Sequence, residues 1–331
     1  MIWYKRLLWL ATALTLIVVV LGAYVRLSDA GLGCPDWPGC YGELIPTGIE
    51  DGDQRGDDYP TRPVVETGKA WKEMIHRYVA TTLGFCIVLI ALLAWRNRHE
   101  PGQPVVLPAV TLGVVIFQGL LGMWTVTLLL KPVIVMGHLL GGLTTLGLLF
   151  WLLLDDARRE KFAGVASKLA WPAAVALVVL VIQIALGGWT SSNYAIWGCP
   201  EVPTCNGQWW PENADFNEGF IMWRGIGIDY EFGVLEAPAR VAIAFVHRLG
   251  AITTTLVLLA VTTFYWRRHP HNTPLRTACA AIWAALAMQV TIGISIFLVD
   301  GHLPVAAAHN GVAAVLLLTV INLNHLAARA R

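Results

Sequence analysis

Long, almost unbroken runs of apolar residues alternate with short polar clusters along this chain. A helix needs roughly 20 mostly apolar residues to cross the hydrocarbon of a bilayer, and eight runs qualify. They predict spanning helices near 7–25, 74–94, 105–130, 132–154, 169–190, 239–266, 277–299 and 304–327. The first run follows Lys5 and Arg6 as a signal peptide would. It is too long for one, and no small-residue cleavage site follows, so it reads as a retained anchor.

Composition narrows the class further. Of 331 residues, 56% are hydrophobic and 14% charged, whereas a soluble domain carries roughly 25% charged residues. So few charges cannot coat a soluble protein of this length, which excludes a soluble enzyme. The abundance of apolar and aromatic residues excludes disorder. A net charge of +1 without a basic patch excludes a nucleic-acid binder. Fifteen Trp fit interfacial aromatic belts. The expectation is an all-α polytopic membrane protein.

The charges also orient it. The N-terminus, the loops at 95–104, 155–168 and 267–276, and the C-terminus carry 13 Lys/Arg against 4 Asp/Glu; the other side carries 10 against 18. By the positive-inside rule the first side is cytoplasmic. Both long loops then face outward.

Comparing the sequence with itself reveals a repeat. At an offset of 165, the segment from Gly33 to Gly42 aligns with that from Gly198 to Gly207, both reading GCP(D/E)xPxCxG. At an offset of 171, His76 and Arg77 fall on His247 and Arg248, Gln118 on Gln289, Gly122 on Gly293, and His138 on His309. The unit is four helices, an even number, so both copies enter the membrane in the same sense. Residues 1–165 and 166–331 are expected to form two four-helix bundles related by a pseudo-twofold axis along the membrane normal.

The second and fourth helices of each unit run from outside to inside, each with its His near its start. At 1.5 Å per residue these lie roughly 8 to 10 Å below the outer helix ends, so each bundle presents two imidazoles at one level. A lone His on an apolar helix ordinarily serves as an interhelical hydrogen bond. A pair duplicated in register points instead to a ligand. Two facing His suit haem iron. Zinc would want further ligands, and the helix cores offer no Cys or second carboxylate in register. His76 with His138, and His247 with His309, are therefore the candidate axial ligands of two haem sites.

The remaining polar residues divide by position. Arg77 and Arg248 are candidate propionate partners, with snorkelling to headgroups as the competing reading. Gln118 and Gln289 read as interhelical hydrogen-bonding residues. His99, His269, His271 and His325, at cytoplasmic helix ends, read as solvated; His302 is undecided. Glu73 lies three residues before His76 on the same helix face, and its counterpart is Ala244. A carboxylate beside one site alone suggests proton or cation chemistry in the N-terminal half and electron handling in the C-terminal half, with pairing to Lys69, Lys72 or Arg77 as the structural alternative. Among the outer Cys, which allow three pairings, the repeat favours Cys34 with Cys40 and Cys199 with Cys205. They serve as staples over the haem mouths or, alternatively, as a thiol relay. Cys86 and Cys279 read as packing residues.

Glu73-Met74-Ile75-His76-Arg77, the Cys-Pro-Asp-Trp-Pro segment, His138-Leu139-Leu140-Gly141-Gly142, Val246-His247-Arg248 and His309-Asn310 together resemble the haem A synthase family, bacterial CtaA and its mitochondrial counterpart. The resemblance covers all eight helices. It implies oxidation of the C8 methyl group of haem O to a formyl group by two successive hydroxylations, giving haem A for cytochrome c oxidase. It further implies that His76 and His138 hold the substrate haem, that His247 and His309 hold a haem b cofactor, and that Glu73 is the functional carboxylate. Electrons would leave the substrate through haem b toward an outside acceptor. Implied partners are haem O, the farnesyltransferase that makes it, oxidase assembly factors and membrane lipid; the implied location is the bacterial cytoplasmic membrane, with both termini inside. The stretch 45–63, with five Asp/Glu, is longer and more acidic than the family's first outer loop leads one to expect. A dihaem b-type electron-transfer protein acting on quinone is the competing class. A parallel-repeat transporter, which would bind no haem, is a third.

Overall fold

The computed structural model describes residues 2–157 and 170–328. Eight long helices occur there: α1 (Ile2–Leu27), α2 (Thr67–Arg96), α3 (Val106–Thr127), α4 (Pro132–Ala157), α5 (Trp171–Ser192), α6 (Ala237–Arg268), α7 (Thr273–Leu298) and α8 (Leu303–Ala327). All are long and apolar enough to cross a membrane, and no strand forms among the described residues. The expected boundary at 165 and 166, much of the basic loop at 155–168 and the last three residues lie outside the described residues.

The helices extend beyond their apolar runs where charge hid their ends. α2 begins at Thr67, not 74, because Lys69, Lys72 and Glu73 interrupt the apolar run without interrupting the helix. α3 stops three residues early, since Leu129 and Leu130 turn the chain with φ of 49° and 57° and Pro132 opens α4. Proline again stands in the first turn of α5, α6, α7 and α8, where its missing N–H costs nothing. Asn272 caps α7 by accepting from the Leu275 N–H at 3.1 Å. Threonines within the spans donate to the carbonyl four residues back, as Thr12 does to Leu8 at 2.7 Å and Thr111 to Leu107 at 2.8 Å, so their hydroxyls remain satisfied without water. Side chains such as Phe85, Leu92, Phe117 and Leu256 stay largely exposed, as lipid-facing surface requires.

In the first half α1 packs on α2 and α4, and α3 closes the ring against both; α5 to α8 repeat this arrangement. The halves meet where α1 touches α8 and α4 touches α5 and α8. One buried apolar cluster joins Val19, Leu143 and Leu146 to Leu180, Leu317, Val320 and Ile321 across that seam. The backbone repeats too: Asp29 and Tyr194, Tyr41 and Asn206, and Leu129 and Asp300 all carry positive φ at matched positions.

His325 departs from its expected solvation. It is fully buried, with Nε2 2.8 Å from Asp155 Oδ1 and its ring 5.0 Å from that of Trp151. The end of α8 packs on α4, so a helix end rich in polar residues forms part of the seam between the halves.

Candidate functional site

The histidine pairs stand on α2 with α4 and on α6 with α8. His76 and His138 line a common cavity of about 490 Å³, together with Glu73, Arg77 and Gln118. Each of the four rings rests on a glycine of the preceding helix. A Cβ added to Gly22 would stand 3.0 Å from His76 Cε1, and one on Gly122 3.4 Å from His138 Cε1; in the second half Gly187 and Gly293 give 3.1 Å from His247 and 2.9 Å from His309. A Cβ on Gly293 would force the His309 ring to move, those on Gly22 and Gly187 would crowd their rings, and that on Gly122 would stand at the edge of ordinary contact. Gly22 and Gly187, separated by 165 residues, extend the repeat beyond the motifs apparent in the sequence. They were hidden because a glycine in an apolar run carries no mark of its own.

Nδ1 of His76, His138 and His309 is buried without a hydrogen-bond partner. Buried polar atoms are rarely left so, and they stand here in apolar bundles. No group of three or more His, Cys, Asp or Glu able to hold a metal ion occurs among the described residues. A two-imidazole donor set flanked by space therefore fits an iron porphyrin better than a bare ion.

The halves differ around the rings. Gln183 Nε2 lies 3.1 Å from His247 Nδ1 and donates to the His247 carbonyl at 3.1 Å, whereas the matching position on α1 is Val18. Gln289 Nε2 lies 3.3 Å from His309 Nε2. Gln118, its counterpart, is 8% exposed and leaves Nε2 without a partner. Gln183 escaped the sequence reading, since it has no repeat partner to draw attention to it.

Glu73 and Arg77 tie the first site to its loop. Glu73 Oε1 accepts from Arg77 Nη2 at 2.5 Å, and Oε2 accepts from the Cys34 N–H at 2.9 Å. Arg77 Nη1 donates to the carbonyls of Asp36 at 3.0 Å and Gly39 at 2.5 Å. Arg248 repeats this with Glu201 at 2.5 Å, Thr204 at 2.8 Å and Cys199. Both arginines thus hold down the loop that carries the cysteines, and that loop is closed by the disulfides Cys34–Cys40 and Cys199–Cys205. Cys86 and Cys279 are buried free thiols.

The outer loops lock to each other above the bundles. Arg62 from the first reaches Asp229 at 2.9 Å and Glu231 at 3.0 Å in the second. Burial pushes the Asp229 carboxyl up, but the Arg62 hydrogen bond and the Glu231 N–H outweigh it and leave it below its ordinary value. Burial leaves Glu231 above its ordinary value despite Arg62 and Lys69. Lys131, in the turn between α3 and α4, is 2% exposed and donates to the Gly225 carbonyl at 3.0 Å while lying 3.6 Å over the Trp223 ring. Its burial lowers the affinity of the amine for its proton. The acids of 45–63 act in part as caps: Asp53 accepts from the Arg55 N–H, and Asp51 from that of Thr67. Arg26, another residue not singled out in the sequence, lines the first cavity and donates to the Ser191 carbonyl at 2.7 Å with its guanidinium 4.1 Å over the Tyr194 ring.

Residues 5–321 match the COX15-CtaA family model, described as cytochrome oxidase assembly protein. A protein of Shewanella oneidensis named haem A synthase is 43% identical over 324 residues, covering 96% of this chain and 95% of its own. Proteins of the same name from Shouchella clausii and Halalkalibacterium halodurans are 28% and 27% identical, covering 87% and 92% of this chain and 83% and 90% of their own.

Proposed function

The chain belongs to the COX15-CtaA family of cytochrome oxidase assembly proteins, and on that footing we propose that it is a haem A synthase, oxidising the C8 methyl group of haem O to a formyl group. Such an enzyme is an oxidoreductase of the membrane. The observation that carries the reading is the duplicated His pair, each ring seated on a glycine and the first pair facing a cavity that also holds Glu73.

The division of labour follows from the asymmetry. Residues 1–165 form the substrate bundle, with haem O between His76 and His138. Residues 166–331 form the cofactor bundle, related to the first by a pseudo-twofold axis, and His247 and His309 are the residues that would hold haem b. A haem b bound there would supply one-electron transfer. Glu73 has no counterpart in the second half, and its carboxylate is placed to hold a positive charge or to take a proton near the substrate ring. The Arg77 and Arg248 donors already committed to loop carbonyls favour an anchoring role for both over propionate binding. The disulfides staple the same loops. The protein lies in a bacterial cytoplasmic membrane with both termini inside, receives haem O from the farnesyltransferase that makes it, and delivers haem A to oxidase assembly.

Haem extracted from cells with and without the chain tests the activity. Haem A formed only in its presence supports the proposal. Haem A unchanged in its absence would favour a dihaem electron-transfer protein instead.

A further inference from the structure

The repeat runs on past the second cysteine of each outer loop. Leu44-Ile45-Pro46 falls on Trp209-Trp210-Pro211 at the same offset of 165. Both prolines are buried, whereas the two residues before each are turned out: Leu44 is 69% exposed, Ile45 55%, Trp209 77% and Trp210 61%. Between the halves the side chains change from aliphatic to aromatic, while apolarity and exposure persist. A single exposed apolar residue needs no explanation, but an adjacent pair repeated in register marks a contact surface.

The depth of these pairs identifies what the surface meets. Each disulfide loop descends along the helix that follows it, α2 in the first half and α6 in the second. Tyr78 Oη donates to the Leu44 carbonyl at 2.6 Å, and Leu44 and Ile45 line a groove with Tyr78 and Thr81 of α2. In the second half Arg248 reaches the Thr204 carbonyl at 2.8 Å, and the Trp210 ring stands edge-on to Phe245 with centroids 5.2 Å apart. Tyr78 and Arg248 each lie eleven residues past the first residue of their helices, about 16 Å along the axis. At and below that level the exposed side chains include Tyr78 and Phe85 on α2, and Leu249, Ile252 and Leu256 on α6, the surface these helices offer to lipid. The two apolar pairs continue it.

The polar groups of the loops fit the same depth. Irregular backbone needs partners where water is scarce, and Arg77 and Arg248 supply them to the loop carbonyls. The acids are used internally as well: Asp36 accepts from the N–H groups of Tyr41 at 2.6 Å and Gly42 at 3.0 Å, and its counterpart Glu201 from that of Gly207 at 3.0 Å. Neither 33–46 nor 198–211 contains Lys or Arg, so neither segment is built to grip a phosphate.

We propose that both disulfide loops are seated in the headgroup and glycerol layer of the adjoining leaflet, with Leu44-Ile45 and Trp209-Trp210 as matched apolar wedges reaching the first methylenes of the acyl chains. The partner of this surface is lipid, held by apolar contact and not by charge. Uncovered irregular backbone does not enter the hydrocarbon itself, which limits how deep the loops go. The first loop also presents the Cys34 N–H to Glu73, so bilayer contact steadies the mount of that carboxylate. The seating holds whatever reaction the bundles perform.

Fluorine NMR of the full-length protein, labelled with fluorotryptophan in phosphatidylcholine nanodiscs, tests it. Trp209→Phe and Trp210→Phe assign the two native resonances, and Ile45→Trp adds one in the first loop. Each substitution keeps an apolar side chain at an exposed position, and thermal unfolding checks that the fold is retained. Three broadening agents are compared: a nitroxide near the glycerol end of the acyl chains, a nitroxide near their methyl end, and an aqueous gadolinium chelate. The expected result is loss of all three resonances to the shallow nitroxide, with little effect from the deep nitroxide or the chelate. Broadening by the chelate alone puts the loops in water, and survival of the signals with every agent means that a protein partner or a second copy covers them. Stronger loss to the deep nitroxide puts them in the hydrocarbon. Any of these outcomes, or a shallow signature in one loop without the other, would overturn the matched seating.

Discussion

Gln183 holds His247 from two sides, its amide nitrogen 3.1 Å from both the ring Nδ1 and the backbone carbonyl. Partners that orient a metal-ligating imidazole typically matter by about 10–100-fold in affinity. Gln183→Val, which installs the residue of the first repeat, should therefore weaken porphyrin binding at the C-terminal pair by about that factor while leaving the N-terminal pair unaffected. Gln183→Glu should lower the midpoint potential of the C-terminal haem, because an anionic acceptor makes the imidazole a stronger electron donor. Redox titration with optical detection measures both. An unchanged potential in the glutamate variant would leave Gln183 as a packing residue.

The eight helices and the matched positions of the four histidines near the starts of α2, α4, α6 and α8 were legible from sequence, because each rests on a signal that survives without three-dimensional context: uninterrupted apolar length and repetition in register. What eluded the sequence is what lacks either signal. Gln183 has only Val18 as its counterpart, Gly22 and Gly187 are silent within apolar runs, and Arg26 looks like one more interfacial cation until it is seen over Tyr194. His325 misled for the opposite reason. Its polar neighbours in sequence suggested water, yet its neighbours in space are Trp151 and Asp155.

The glycine seats predict a loss confined to one half. Gly293→Val would drive a side chain into the His309 ring, where even a Cβ stands at 2.9 Å. Filling such a site forces ring or helix to move. The variant should lose the spectrum of the C-terminal haem and keep substrate binding at His76 and His138, and Gly22→Val should do the reverse. Haem content per protein and difference spectra read this out; equal loss at both sites in either variant would contradict independent seats.

The lock between the outer loops should depend on pH with opposite signs for its two acids. Asp229 titrates below its ordinary value, so its contribution is present above the unfolded pKa and fades as pH falls through the lowered folded one. Glu231 titrates above its ordinary value, so its contribution is present below the unfolded pKa and is lost as pH rises through the raised folded one. At neutral pH, Asp229→Asn should destabilise by about 0.2–1 kcal/mol, the range of partly exposed pairs, and Glu231→Gln should be neutral or slightly stabilising. Thermal unfolding in detergent at pH 7 and at a pH well below 3.8 checks both signs, and the Asp229→Asn effect should shrink at the lower pH. Equal destabilisation by the two substitutions at pH 7 would refute the assignment.

Glu73 is bound on both sides, by Arg77 and by the Cys34 N–H, so its chemical and structural roles must be separated. Glu73→Gln retains an acceptor for one partner but removes the charge. Arg77→Gln keeps the carboxylate while freeing the loop from its carbonyl anchors. If the carboxylate serves proton transfer or charge stabilisation, Glu73→Gln should slow haem A formation by about 10²-fold or more with both porphyrins still bound. Glu73→Asp should restore part of the rate, and Arg77→Gln should chiefly lower thermal stability. A Glu73→Gln protein that forms haem A at the wild-type rate would reduce Glu73 to a mount for the disulfide loop. A variant that loses rate and porphyrin together would make it part of the seat. Only the first pattern, slow turnover on a fully loaded protein, assigns the carboxylate to the chemistry, and single-turnover haem analysis beside the absorption spectrum distinguishes all three.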